Sequence, residues 1–178
     1  MEARSAGAAL PLGIQVATAG FVLGRLLLKP PAAALVESLN DPAMRATWPL
    51  ADEDTRAALA ALDGGAGELG AVRFDYERLF VRASPGRIEL RTGQGADDHV
   101  GQRILDLAEL TATAAQAERS GDGAAAAAAR ESATRLREKL DPVVGLVLDA
   151  VQERAATPLF RVLPGLVRGF LVEELRSR

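Results

Sequence analysis

The sequence contains no cysteine and a single histidine, His99. The first absence excludes disulfides, thiolate nucleophiles and thiolate metal sites, and the second leaves too few ligands for the common zinc sets. Aromatic residues are scarce as well, at 4%, whereas the apolar set reaches 48%, so a core has to be built mainly from Leu, Val and Ala. That is the composition of packed helices. An excess of charge of one sign is also missing: 21 basic against 24 acidic residues leave a net charge of -3, too small an imbalance to attract nucleic acid. No run alternates apolar and polar residues over a useful strand length. These absences predict an all-α protein, a single-domain helical bundle of about six or seven helices spanning residues 1–178. Neither a metal nor a cofactor is expected, and a reducing compartment fits.

Residues 10–28 carry Arg25 as their only charge and contain Gly20-x-x-x-Gly24, a spacing that lets helices approach closely in membranes. Pro11, Gly13, Gln15 and Thr18 weigh against a membrane span, and Glu2 and Arg4 against a signal peptide with its basic start. The segment therefore reads as a wholly buried central helix, with Phe21, Leu26 and Leu27 in the interior.

A first helix is expected over residues 15–29, stopped by Pro30-Pro31, and a second one carries Ala34, Leu35 and Leu39 up to Asn40-Asp41-Pro42. Residues 52–62 form a helix with an acidic first turn, ended by Asp63-Gly64-Gly65. Leu69, Val72, Tyr76, Leu79 and Phe80 fall at helical spacing over residues 69–81, with Tyr76, Leu79 and Phe80 as a core stripe. Residues 83–96, with Ser84-Pro85-Gly86 and Thr92-Gly93-Gln94-Gly95 around a short Ile88-Glu89-Leu90, read as a mobile loop. Asp97 or Asp98 then caps a helix whose Val100, Ile104, Leu107, Ala108 and Thr111 make one stripe, broken at Ser120-Gly121-Asp122-Gly123. The alanine run at residues 124–129 starts the next helix, and Asp141-Pro142 predicts a bend or fresh start within it. Thr157-Pro158 opens the last helix, in which Pro164 predicts a kink or restart.

Gly65-x-Gly67-x-x-Gly70 has the spacing of a dinucleotide-binding fingerprint, which needs a preceding strand. The preceding residues are helical in pattern, so the segment reads as a flexible helix connection. Asp98-His99 could supply part of an acid–base pair, but neighbours at a helix start point about 100° apart. Nothing singles out a nucleophile from Ser84, Thr92 or the carboxylates, and a capping aspartate beside a surface or groove histidine is the plainer reading. Trp48, beside Pro49, is either a lid on the core or a contact for a peptide.

Three stretches, in order, resemble the TorD/DmsD/NarJ-type chaperones that mature molybdenum redox enzymes. Phe21-Val22-Leu23-Gly24-Arg25-Leu26-Leu27-Leu28-Lys29-Pro30-Pro31, with Leu35 and Leu39, looks like the family's opening helix, its proline break and the next helix. Asp75-Tyr76-Glu77-Arg78-Leu79-Phe80 is similar to its Tyr-x-x-Leu-Phe segment, and Asp97-Asp98-His99-Val100 to its Pro-Asp-His-Leu element. Leu136 to Pro142, Pro158-Leu159-Phe160-Arg161 and Gly169-Phe170-Leu171 look like the closing helices. Asp97 replaces the proline before Asp-His, no tryptophan accompanies Leu140 to Pro142, and the Tyr-Glu-Ser-Val-Tyr-like stretch is missing from the central connection. That shorter connection is nearer the NarJ branch.

The resemblance implies a TorD-like, cytoplasmic helical chaperone and not an enzyme. Its partner would be a molybdopterin oxidoreductase precursor, bound by the leader or N-terminal segment and held back from twin-arginine export or membrane assembly until its cofactor is loaded. An amphipathic segment would lie in an apolar groove while carboxylates meet its basic residues. Carried over to this chain, Asp98 and His99 are the client-binding candidates, with Tyr76 and Leu79 beside them. A helical homodimeric regulatory protein and an enzyme using Asp98-His99 are the alternatives.

Overall fold

The computed structural model of the protein describes residues 10–82, 87–91 and 98–178. It is all-α, with eight α-helices and one π-helical turn and no strand among the described residues. Helix α1 (Leu12–Leu28) packs along α6 (Val100–Ser120) and α8 (Pro158–Arg176). Its buried face runs through Val16, Ala19, Gly20, Leu23, Gly24 and Leu27. The small residues set the approach: a Cβ at Gly20 would fall 2.7 Å from the Ala108 Cβ, and one at Gly24 would fall 2.8 Å from the Gly101 carbonyl oxygen. Gly20-x-x-x-Gly24 thus serves packing inside the bundle. No helix among the described residues is long and apolar enough to cross a membrane.

Two expectations for this helix are corrected. It starts at Leu12, because Pro11 sits one residue ahead, where its missing amide hydrogen is not needed and its carbonyl accepts the Gln15 amide at 3.1 Å. Nor is it wholly buried. Leu26 and Leu27 are in the core, but Phe21 is 37% exposed, on the same outward face as Thr18 and Arg25, three and four residues away.

Helix α2 (Ala33–Asn40) is followed at once by a short α3 (Pro42–Arg45), for which Asp41 is the cap, accepting from the Ala43 amide at 2.8 Å. The Asn40-Asp41-Pro42 stop signal is therefore also a start. Asp52 caps α4 (Glu53–Ala60) through the Thr55 amide at 2.9 Å, and α4 lies across α8 where Gly169 leaves room. Between α4 and α5 (Leu69–Tyr76), Gly65 and Gly67 take positive φ of 88° and 105°. The Asn40 side chain clamps this connection, accepting from the Ala66 amide at 2.7 Å and donating to the Gly67 carbonyl at 3.1 Å. It follows a helix and is fastened, so it has neither the strand of a dinucleotide site nor the freedom expected of a linker.

Asp122 caps α7 (Gly123–Arg154), a single 32-residue helix that continues through Pro142. An internal proline costs about 3 kcal/mol or more. Pro142 itself is exposed, while Leu140 and Val144 on either side of it are buried, so continuity of the helix keeps both in the core. Helix α8 likewise continues through Pro164, which is buried among Leu159, Phe160, Leu163 and Val167. Of the outcomes expected at these prolines, the fresh start at Pro142 and the restart at Pro164 do not occur, since both helices are continuous. Arg137 of α7 and Arg178 both reach the buried Glu174 carboxylate, at 3.7 and 2.7 Å, tying α7 to the end of α8.

Candidate functional site

The Asp75 to Phe80 motif lies where α5 passes into the π turn Glu77–Val81. Such a turn carries one extra residue per hydrogen-bonded ring and rotates the following side chains out of α-helical register. Asp75 comes before the turn and faces inward, 1% exposed. Its Oδ2 accepts from the Ala156 amide at 2.9 Å, the Thr157 amide at 2.8 Å and the Thr157 hydroxyl at 2.9 Å, while Oδ1 meets Arg78 at 2.5 Å. One carboxylate therefore satisfies three donors of the two residues that lead into α8, the second of which, Thr157, is the cap residue and makes no side-chain cap bond of its own. Tyr76 and Phe80 pack edge-on at 5.2 Å, and Phe80 meets Phe160 of α8 at 5.9 Å. Burial pushes the Tyr76 phenol up to about 12, and its hydroxyl donates to the Leu27 carbonyl at 3.4 Å.

Arg87 to Arg91 form an extended strap across this turn. The Ile88 amide donates to the Leu79 carbonyl at 2.7 Å, the Val100 amide donates to the Leu90 carbonyl at 2.7 Å, and Arg91 bridges His99 in antiparallel fashion. Ile88 and Leu90 are buried whereas Arg87, Glu89 and Arg91 are exposed, so the strap has the period-two alternation of a strand. The expected mobile loop is anchored at its middle. Its flanks, residues 83–86 and 92–97 with Ser84, Thr92 and Asp97, lie outside the described residues.

His99, and not an aspartate, caps α6. Its Nδ1 accepts from the Gly101 amide at 3.0 Å, which requires a free lone pair there and places the proton of the neutral ring on Nε2. Burial, followed by the charge of Arg91, lowers the imidazole below its ordinary range. Asp98 turns instead to Arg103 at 2.5 Å, with both side chains mostly covered.

Tyr76 at the end of α5, Phe80 and Val81 of the turn, the strap and His99 line an open cleft of about 350 Å³. Of the four residues singled out from the sequence, Tyr76 and His99 line it. Leu79 does not: at 1% exposure it is a core residue, turned inward to hold the turn against the bundle. Asp98 sits beside the cleft in its ion pair with Arg103. Trp48 lies elsewhere, half-buried against the core as a lid. The residues that sequence reasoning missed are Val81, Arg87 and Arg91, and the polar–apolar alternation from Arg87 to Arg91 was the signal that could have found them.

Chemically, the cleft offers an apolar floor, guanidinium groups at its rim and an imidazole whose Nδ1 is already occupied. Among the described residues, no group of three or more acidic or histidine side chains converges as a metal site would. No family model, curated protein or solved structure matches the chain.

Proposed function

We propose that the protein is a cytoplasmic chaperone of the TorD/DmsD/NarJ type, which binds the leader or N-terminal segment of a molybdopterin oxidoreductase and assists cofactor loading before export or membrane attachment. One observation carries the reading. The two motif elements that resemble the family, around Tyr76 and around His99, are 23 residues apart in sequence (99 minus 76) and line the same cleft. The cleft is open and partly apolar, which suits a peptide side chain better than a reaction that must exclude water. With His99 Nδ1 taken up by the Gly101 amide and Asp98 engaged by Arg103, the local geometry favours a binding wall over an acid–base dyad.

The test is calorimetric titration of synthetic N-terminal segments of molybdopterin oxidoreductases encoded in the same genome, onto wild type, Val81→Gln and Asp98→Asn. Val81 is 55% exposed in the cleft, so its loss should weaken binding about three- to ten-fold without moving the melting temperature. Asp98→Asn should lower the melting temperature through the lost Arg103 pair and leave affinity nearly unchanged. Equal affinity in wild type and Val81→Gln would remove the cleft from the function.

A further inference from the structure

We propose that two copies of the chain associate through the outer face of α1 and α6. In this pair, α1 of one copy lies antiparallel against α6 of the other, about a two-fold axis that runs along the seam between the two helices. None of the residues used lines the cleft, so the inference stands apart from the peptide-binding reading.

The first ground is an apolar stripe that the bundle does not cover. On α1, Ile14, Phe21 and Leu28 recur every seven residues, and such a repeat keeps to one side of a helix, drifting only about 20° per step. Phe21 is 37% exposed, and Ile14 and Leu28 are half-buried. Leu105 and Ala112, also seven apart and half-buried, supply the α6 side. Leu105 lies on Gly24, where a Cβ would fall 2.7 Å from its Cγ, so Phe21 and Leu28, three before and four after Gly24, flank that contact. Both helices are described over their whole length.

The second ground is charge. Beyond the stripe, α1 presents Arg25 and Lys29 and carries no carboxylate, whereas the far side of α6 presents Asp106 and Glu109. Among the described residues none of these four has an ion pair, and Asp106 accepts only from the neutral Gln102 side chain, at 2.8 Å. One edge of the seam is therefore basic and the other acidic. An axis along the seam exchanges the helices and leaves every residue at its own height. Gly20 meets Ala108 and Gly24 meets Leu105 within the chain, so Arg25 and Asp106 stand within about one helical turn, ~5 Å, of the same height. The exchange sets the basic edge of each copy against the acidic edge of the other, the reciprocal contact that an isologous pair requires. Placing α1 on α1 and α6 on α6 would instead oppose like charges. Two helices, each about 10 Å wide, over the ~21 Å from Ile14 to Leu28 cover roughly 400–500 Å² per copy, the low end for a specific contact, so a dissociation constant of tens of micromolar is expected.

Sedimentation equilibrium of the full chain from about 5 to about 500 µM, with melting curves beside it, tests the proposal. The wild-type mass should rise from one chain towards two. Phe21→Gln, Arg25→Glu and the Asp106→Lys/Glu109→Lys double variant should each weaken association about ten-fold, and a one-to-one mixture of the two charge-reversed variants should recover to within about three-fold of wild type. In that mixture the two reversed edges oppose each other and the two native edges do the same. Should the double variant fail to fold, Arg25→Glu, at an exposed position, still decides whether the α1 edge holds the second copy. A monomer across the whole range overturns the second copy and gives the seam to a different protein. Association that Phe21→Gln and Arg25→Glu leave unchanged, or folded variants whose mixture associates no more tightly than either alone, overturns this pairing of edges.

Discussion

Replacing Asp75 by alanine should cost this fold more than any surface change, and the size of the cost follows from four contacts. The carboxylate, 1% exposed, serves the amides of Ala156 and Thr157 and the Thr157 hydroxyl through one oxygen, and Arg78 through the other. Ala156 is exposed, so water can replace its partner. Thr157 is 8% exposed, and its amide and hydroxyl would both be stranded. A buried donor left unpaired costs about 1–3 kcal/mol, and two that share one relaxation should cost about 2–4 kcal/mol together. Asp75→Asn keeps an acceptor for the start of α8 but loses the charge that meets Arg78, so about 1–2 kcal/mol is expected there. Urea unfolding at neutral pH, followed by far-ultraviolet circular dichroism and by the fluorescence of Trp48, measures both. Coincident transitions would license the two-state treatment. If Asp75→Ala falls within about 0.5 kcal/mol of wild type, or if Asn costs as much as Ala, the carboxylate does not hold the two residues that lead into α8.

Two further predictions concern stability alone. The His99 imidazole is lowered in the folded protein, so the unfolded chain holds that proton more tightly; its contribution to stability should be complete above about pH 6.5 and fall away as the pH drops through the lowered folded value. His99→Asn retains a capping acceptor for Gly101 and should remove this part of the slope in melts across about pH 5–8; an unchanged slope would place the titration elsewhere. A Cβ at Gly169 would fall 2.3 Å from the Thr55 hydroxyl, whereas one at Gly145 in α7 meets nothing within 4 Å. Gly169→Ala should therefore destabilise by about 1–3 kcal/mol and Gly145→Ala stabilise by about 0.5–1 kcal/mol, and chemical denaturation giving the same sign for both would refute the packing of α4 on α8.

The helical pattern was legible because burial follows it: Val100, Ile104, Leu107 and Thr111 recur every three or four residues, and all four are buried. Prolines were legible in part. Helix α2 stops at Asn40 as the Asn40-Asp41-Pro42 signal implies, with Pro42 opening a further short helix, whereas no fresh start occurs at Pro142 or Pro164, because packing of their neighbours keeps both helices continuous. The Asp75 to Phe80 segment was recognisable as a unit, but its division of labour was not. Asp75 reaches partners 81 and 82 residues away, a pairing that no local spacing encodes. In the sequence Leu79 fits both a core stripe and a client contact, and its 1% exposure gives it to the core. The capping role went to His99 instead of the neighbouring aspartate because Arg103, one turn into α6, holds Asp98. The strap is hidden in the sequence because glycines on either side of it give the stretch the composition of a loop, although its own five residues alternate.

The central claim, that this cleft holds a molybdopterin oxidoreductase precursor, is tested most directly by placing a photocrosslinking p-benzoylphenylalanine at Val81, 55% exposed in the cleft, and separately at Leu146, 73% exposed on α7 and outside the cleft lining. Irradiation in the native host, followed by mass spectrometry, should join the precursor through its N-terminal segment to position 81 and not to position 146. Crosslinks to that precursor at both positions alike, or at neither, would contradict the account.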